Sequence, residues 1–564
     1  MSIGGYRGGR REAHRQIANQ DRLERLGEAV KRHTGGGSRP ASHSRRTWIR
    51  RGVIAVGLVL VLVVGGVIAD YYYLGSLVNR QKIGNLQSGG SAENILLIGS
   101  TTRCGLKVQN KAYGLCSQGV TGVNSDIDMI LHLDPATGSV SLLSVPRDLF
   151  VPNARIIGAN KIDAALYQGP SQLVAAIEED FAIPINHYVE LNFDTFANVV
   201  DALGGVSMDF PVPIYDQESG LNIERPGCYL LNGVRALEVV RSRHLQIQPD
   251  ASNHQPSTWP KEGLSDLARI RRTHEFLRVL SAKVSARGIG DPLTDQSIAT
   301  SVLPDLTVDN GFSESTMVNL AKSFAHTNIA NVLQLTYPIV TVETGSYLYK
   351  GYYYGDVEFP VQPNGTQTID QILGISPSTN AFTGAALPSP SSFTISIKNA
   401  TGIANQAAIV SRELAAKGFR VSSTGDMAPV GKVGETVVWY GGPRPPLNGN
   451  WASPSLAAAQ AVLAQLQGPA ILGYNPAEVT PGASVTVQTG TGLTMKAASR
   501  TSTTSTSKHK KSSTSTSTTV YDPPGVKSNN SFSAPSLVNQ ALEPYDPRAC
   551  NAAGTGPATT TALK

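Results

Sequence analysis

Seventeen consecutive uncharged residues, Val53-Ile-Ala-Val-Gly-Leu-Val-Leu-Val-Leu-Val-Val-Gly-Gly-Val-Ile-Ala69, constrain this chain more than any other feature. Arg50 and Arg51 bound the run on one side and Tyr71-Tyr72-Tyr73 follow it on the other. With Tyr71 to Leu74 added, the run reaches the roughly 20 residues a helix needs to cross a bilayer core of about 30 Å, and tyrosines suit the far interface. A cleaved signal peptide carries a short basic segment and a small-x-small cleavage site. Here the basic segment before the run is 51 residues long and no such site follows, so the spacing predicts an uncleaved single transmembrane helix over 52–74.

Charge sets its orientation. The chain holds 48 Lys/Arg against 42 Asp/Glu, but residues 1–51 alone hold 13 against 4, leaving 35 against 38 for the remainder. The positive-inside rule therefore keeps 1–51 as a basic cytoplasmic tail and exports everything after the helix. The expected localisation is the cell membrane, single-pass, with the C-terminal bulk extracytoplasmic. The basic tail has no aromatic interleaving and no DNA-binding motif, so it reads as a topogenic, lipid-attracted segment, and no nucleic acid partner is expected.

At 564 residues the chain is too long for one ordinary domain, and four cysteines are too few for a disulfide scaffold. Composition divides the exported part. Residues 75–92 form a polar stalk, 93–375 alternate strand-like and helix-like runs, 376–392 are a Pro/Ser linker, 393–490 form a smaller patterned unit, and 491–564 make a Ser/Thr-rich tail. In Ser499–Thr519, sixteen of twenty-one residues are Ser or Thr, a composition that buries too little apolar surface to offset chain entropy, so the tail is expected to be disordered.

In the large unit, Asn94-Ile-Leu-Leu-Ile98 is a buried-strand run that delivers a loop, Gly99-Ser-Thr-Thr-Arg103. Met129–Leu133 and Val140–Val145 flank Asp134-Pro-Ala-Thr-Gly138, which reads as a hairpin turn. Gln172–Phe181 and Asp194–Leu203 have helical apolar spacing. The expected fold is α/β, an α+β sandwich with a central mixed β-sheet covered by helices, plus a small C-terminal α/β domain.

The polar residues at the strand and helix ends are mostly Arg and Asp: Arg103, Asp126, Asp128, Arg147, Asp148, Arg241, Arg243, Asp266, Arg269 and Arg272. Asp266, Arg269 and Thr273 share one helical face. Converging arginines with a few carboxylates are what a pyrophosphate site requires: planar forks for the oxygens and Asp oxygens for a hard divalent cation. Taken singly, each such pair is an ordinary solvated ion pair.

In order along the chain stand Gly99-Ser-Thr-Thr-Arg103, Asn124-Ser-Asp126, Leu142-Leu-Ser-Val-Pro-Arg147-Asp148, Lys161-Ile-Asp-Ala-Ala-Leu166, Ile183-Pro-Ile-Asn-His-Tyr-Val189, Asp201-Ala-Leu-Gly-Gly-Val206, Leu231-Asn-Gly-Val-Arg-Ala-Leu237, Arg241-Ser-Arg-His244 and Asp266-Leu-Ala-Arg-Ile-Arg-Arg272. Over residues 93–283 this series resembles the LytR-CpsA-Psr proteins. Residues 393–490, with Ile397-Lys-Asn-Ala-Thr-Gly402 and Val437-Val-Trp-Tyr440, resemble the LytR C-terminal domain of actinobacterial members.

The resemblance implies a phosphotransferase that moves a glycopolymer from a polyprenyl-diphosphate carrier to a peptidoglycan hydroxyl, with Mg²⁺ or Mn²⁺. The expected partners are the lipid-linked glycopolymer, peptidoglycan and the membrane, and arabinogalactan-type polymers are favoured. It assigns Arg147, Arg241, Arg243 and Arg269 to the pyrophosphate, Asp148 and Asp266 to holding the arginines, and Arg103 to the end of the first motif. Asp126 is assigned to the metal, joined by Asp128 and Thr101. The apolar faces of helices 172–181, 194–203 and 269–283 are expected to line a lipid tunnel or to be ordinary core.

The chain departs from the family pattern at Thr101, where an Asp is usual, at Asn124, where an Arg is usual, and at Thr273, where a Gln is usual. Asp128 either restores a second carboxylate beside Asp126 or marks an exposed strand start. A second reading therefore stands beside the enzyme: a weakly active or inactive paralogue that binds polyprenyl-linked intermediates or peptidoglycan. Cys104 and Cys116 are expected to pair in an oxidising compartment, with Cys228 and Cys550 left open. His187, His244 and His274 are candidate bases, none in a recognisable triad. Residues 245–265 read as a lid or as a surface loop.

Overall fold

The computed structural model of the chain describes residues 77–495, apart from 89, 91, 105, 107–114, 120, 157, 264, 288–299, 301–302, 314, 318, 321–331, 342–346, 428–432 and 443–452, together with residues 541–550. The expected cytoplasmic tail and membrane helix lie outside the described residues. No helix among those described is long and apolar enough to cross a membrane.

Seven strands form the first sheet: β1 (Asn79–Gln81), β2 (Glu93–Ser100), β3 (Ser125–Asp134), β4 (Ser139–Val145), β5 (His187–Leu191), β6 (Thr307–Asp309) and β7 (Leu333–Thr336), in the order β1-β6-β5-β2-β3-β4-β7. The β2-β3-β4 meander is antiparallel, with Asp134-Pro-Ala-Thr-Gly138 as its second turn, and β5 and β7 add in parallel at its two sides. Because side chains alternate across a strand, Ile95 and Leu97 enter one core while Leu96 and Ile98 enter the other. Both faces are covered, which is why β2 reads as a continuous apolar run.

The helices that cover this sheet include α1 (Pro170–Phe181), α2 (Phe193–Ala202), α3 (Gly233–Arg241) and α4 (Ser265–Arg287). Asn192 and Asn232 cap α2 and α3, their side-chain oxygens accepting from the backbone N–H of Thr195 and Arg235. Gly233 permits the closest contact between these two helices, since a Cβ there would lie 2.3 Å from the Ala197 carbonyl oxygen. Helices α2, α3 and α4 share the core of Leu97 and Met129.

α1 lies on the opposite face. It packs with Leu96 and Ile130 and against Val437, Trp439 and Ile471 of the C-terminal part. Those residues belong to a second sheet built from β8 (Ile339–Thr341), β9 (Glu358–Gln362), β10 (Thr394–Asn399), β11 (Arg420–Asp426), β12 (Thr436–Tyr440), β13 (Leu466–Tyr474) and β14 (Val485–Thr489), in the order β8-β9-β13-β12-β14-β10-β11. Composition marks a linker at 376–392, yet β9 precedes it and pairs directly with β13. Asn153 and Tyr474 exchange two 2.8 Å hydrogen bonds, and the Tyr440 hydroxyl donates to the Glu179 carbonyl.

Two sequence expectations are corrected. The segment read as a polar stalk contributes β1 to the sheet edge, with Val78 and Ile83 buried on either side of the polar run Asn79–Lys82 that dominates its composition. Within the region expected to be a disordered tail, Thr494–Met495 pairs with β13, and Ala541–Cys550 folds back: Arg548–Ala549 pairs with Val206–Phe210, and Cys550 is disulfide-bonded to Cys228. Asp546, fully buried, accepts from Arg271 Nε at 2.6 Å and faces Arg272. The Ser/Thr run dominates the composition and conceals one buried carboxylate and one cystine.

Removing one partner of a buried ion pair strands the other. Asp546→Ala should therefore cost about 3–5 kcal/mol in chemical denaturation, whereas truncating the exposed Glu543 side chain should cost under about 1 kcal/mol.

Candidate functional site

The strand register gathers the Arg and Asp residues at one end of the sheet. Ser100 of β2 sits opposite Ser125 of β3, and Asp128 opposite Val145 of β4, so the segments carrying Thr101 to Arg103, Asp126, and Arg147 with Asp148 leave the sheet together. The C-terminus of α3 adds Arg241 and Arg243, and the first turns of α4 add Asp266 and Arg269.

Carboxylates hold three of the arginines, Arg147, Arg243 and Arg269. Arg147 donates to Asp126 and Asp163. Arg243 donates to Asp148 and lies 3.3 Å from Asp266, whose Oδ1 is also 2.9 Å from Arg269. Lys161 Nζ donates to the second oxygen of Asp148 at 2.8 Å. Arg241 and Arg103 stack on Phe193 at 4.7 and 5.4 Å. Partial burial, and after it the neighbouring Arg241 and Arg147, lower the Arg103 pKa. Burial raises Asp148, but Arg243 and Lys161 more than offset it and hold the carboxyl below its usual range.

Beneath this polar mouth opens an apolar pocket lined by Leu97, Ile127, Phe196, Val200, Val240 and Leu277, with Asp126, Arg241, Arg269 and Thr273 at its rim. Helices α2 and α4 line it as expected and α3 joins them. The expectation that helix 172–181 lines it is corrected, because α1 lies on the opposite face of the sheet as core between the two sheets.

The three departures are all engaged with the protein itself. The Thr101 hydroxyl accepts from the Asn124 N–H at 2.9 Å, stitching two site loops together. The Asn124 amide donates to Asp163, and the Thr273 hydroxyl bonds back to the Arg269 carbonyl. Asp128 is buried, not an exposed strand start. Its charged neighbours include Asp163, Arg269 and Asp266, and burial pushes its carboxyl up to about 8. The Cys104–Cys116 disulfide closes the loop that follows Arg103.

Among the described residues no three His, Cys, Asp or Glu side chains cluster as a protein-made metal cage would require. Asp128 Oδ1 is buried without a hydrogen-bond partner, and Asp126 reaches the pocket rim. The donor set fits a hard cation that takes one or two carboxylates from the protein and the rest of its shell from phosphate and water.

Three members of the network had no assigned role in the sequence. Asp163 and Lys161 stand in a quoted motif. Glu358 comes from the start of β9, where its N–H donates to the Asp148 carbonyl, and burial together with Asp266 and Asp148 pushes its carboxyl up to about 8. Of the candidate bases, His187 stacks on Phe312 beside Asp309 at the far end of β5, whereas His244, next to Arg243, pairs with Glu218, and His274, next to Thr273, is buried against Ser144. Residues 245–263 form a lobe in which Trp259 is buried, its carbonyl accepting from the Gln246 amide, and Glu262 accepts from Arg272.

Residues 76–360 match the model of the LytR_cpsA_psr family. The chain belongs to the LytR-CpsA-Psr family. Residues 392–493 match a second model, described as LytR cell envelope-related transcriptional attenuator. The chain is 34% identical over 265 residues to a probable cell wall biosynthesis protein, LcpB, of Corynebacterium glutamicum, spanning 46% of this chain and only 58% of that protein. It is 26% identical over 275 residues to the polyisoprenyl-teichoic acid–peptidoglycan teichoic acid transferase TagU of Bacillus anthracis, spanning 46% of this chain and 79% of that protein. A LytR-Csp2A-Psr enzyme from Actinomyces oris aligns with 52% of this chain and 95% of its own at 21% identity and a TM-score of 0.40.

Burial lowers the His274 pKa to about 4. Between the unfolded value of about 6.5 and that value the unfolded chain binds the extra proton, so stability falls as pH drops through this window, by about 3 kcal/mol in full. His274→Gln should remove this slope, measured as the difference between wild-type and variant denaturation midpoints from pH 7 to pH 4.

Proposed function

We propose that this LytR-CpsA-Psr protein is a membrane-anchored, extracytoplasmic phosphotransferase that passes a glycopolymer from a polyprenyl-diphosphate carrier to a peptidoglycan hydroxyl. One observation carries the reading: an apolar pocket opens directly beneath a cluster of arginines. An isoprenoid chain and a pyrophosphate joined head to tail are a ligand with that order of chemistry. The name printed for TagU, a transferase acting between a polyisoprenyl-linked polymer and peptidoglycan, supports it. The likeness to a Corynebacterium protein supports an actinobacterial wall polymer of arabinogalactan type. The uncharged run Val53–Ala69 and the charge asymmetry on its two sides support the location.

In this reading the acceptor hydroxyl forms a bond to the polymer-bearing phosphorus as the bond to polyprenyl phosphate breaks. Catalysis then needs positioning and neutralisation of phosphate charge more than covalent chemistry. Arg147 and Arg243, fixed by Asp126, Asp163, Asp148 and Asp266, present forks already oriented, so little reorganisation accompanies the reaction. Arg241 and Arg269, at the pocket rim, face the phosphate nearest the lipid. Asp126, with Asp128 and the Thr101 hydroxyl nearby, would hold Mg²⁺ or Mn²⁺, which when bound screens the phosphate oxygens. Asp148 and Asp266 act through the arginines they hold.

The engagement of Thr101, Asn124 and Thr273 in internal hydrogen bonds favours a second reading, a binding paralogue without turnover. Metal-dependent release of polyprenyl phosphate from a polyprenyl-diphosphate glycan by the full-length protein separates the two. The enzyme reading predicts turnover that drops by about 10²–10³ in Arg147→Ala, the loss typical of one stabilising donor. Absence of wild-type turnover, with the lipid still bound and binding lost in the variant, would leave the paralogue.

A further inference from the structure

A second cleft, of about 960 Å³, lies where the two sheets' surroundings meet, well outside the arginine cluster. Its floor is the hairpin of Phe150–Arg155 and Gly158–Lys161, and its walls are the Tyr347–Tyr354 hairpin and the loop after β13. Tyr349 pairs with Tyr352 across a two-residue turn, Lys350-Gly351, with φ of 49° and 84°. Positive φ at both central positions is the tight hairpin turn whose twist matches the strands it joins. The inner side chains, Tyr347, Tyr349 and Tyr354, clamp Phe150 edge-on at 5.0–5.3 Å. This anchoring leaves Tyr352 and Tyr353 standing out, 71% and 74% exposed.

The described residues leave six large hydrophobic side chains exposed, and three of them, Ile156, Tyr352 and Tyr353, line this one cleft. Such concentration marks a binding surface and not random surface apolarity. The remaining lining selects the ligand. Asn160 and Asn475 bring amides to the walls, their oxygens accepting from the N–H of Lys161 and Ala477, and such polar walls suit a lipid chain poorly. Arg155 and Lys350 stand against Glu478, which is 3.8 Å from Lys350, so the lining carries a net charge of only +1 and a polyanion gains little. Flat aromatic faces beside amides suit a neutral polyhydroxylated ring, whose C–H face stacks while its hydroxyls and acetamido groups take hydrogen bonds.

We propose that this cleft binds a neutral glycan chain and delivers it to the arginine cluster. The hairpin that floors the cleft starts immediately after Asp148 and ends at Lys161, which bonds Asp148. A six-residue strand spans about 20 Å, so a glycan of a few rings lying along it reaches from the tyrosines to the phosphotransfer site. The delivery step rests on the proposed function, whereas the binding step does not.

The test is titration calorimetry on the full-length protein in micelles, without any lipid-linked substrate. One arm uses chitohexaose, which shares the peptidoglycan backbone linkage, and the other uses galactan and arabinan oligomers. Binding in either arm, weakened at least tenfold by Tyr352→Ala/Tyr353→Ala and unchanged by Tyr167→Ala, an equally exposed tyrosine elsewhere, supports the proposal. The arm that binds distinguishes an acceptor strand from the donor's own polymer. No binding in either arm, or equal binding by the double variant, overturns it. Because turnover is not read, a catalytically silent arginine cluster leaves this result intact, and a failed cleft leaves turnover intact.

Discussion

The site depends on one electrostatic constraint: several guanidinium groups are held together in a partly desolvated mouth, where they repel one another. Burial is the first cause of the lowered Arg103 pKa, and the neighbouring Arg241 and Arg147 add to it. Four carboxylates, Asp126, Asp148, Asp163 and Asp266, offset the repulsion and fix the forks of Arg147, Arg243 and Arg269. Every larger feature serves this lattice. The antiparallel register of β2, β3 and β4 brings the strand ends to one edge, the Asn-capped helices α2 and α3 fix where Arg241 emerges, and α4 turns Asp266 and Arg269 inward on one face. A pyrophosphate that entered would accept hydrogen bonds already aimed at it, and the apolar pocket below would accept whatever chain it carries.

Much of this arrangement was legible in the sequence because it is local or carried by charge. The run Asn94–Ile98 declared a buried strand, Asp134–Gly138 a turn, and the Asp266/Arg269/Thr273 spacing a shared helical face, all of which require only the geometry of one element. The arginines stood out at the ends of apolar strands, but it was the ordered motifs resembling the LytR-CpsA-Psr family, and not spacing, that gave them a role. The pairing of Cys104 with Cys116 followed from their proximity in sequence.

What escaped the sequence depends on contacts between distant segments. Glu358 reaches Asp148 only because β9 crosses beside the site, and nothing around it, Val-Glu-Phe-Pro, distinguishes it from an ordinary strand carboxylate. Asp546 lies beyond a Ser/Thr run, and its burial against Arg271 is fixed by the Cys228–Cys550 bridge. Helix α1 has an apolar pattern no different from α2, but it faces the second sheet, a partner that periodicity cannot name. The same reason hides the boundary between the two halves: composition shows a Pro/Ser stretch at 376–392, whereas packing shows a strand of the first half hydrogen-bonded into the sheet of the second.

The most direct measurement of the central claim, a cradle built for a lipid-linked pyrophosphate, compares the binding of geranyl diphosphate and geraniol to the full-length protein by calorimetry at fixed salt. A carboxylate-held arginine cradle predicts that the diphosphate binds at least a hundredfold more tightly, with an affinity that falls as salt rises. Equal affinity for the two, unaffected by salt, would show that the arginines are structural ion pairs and would contradict it.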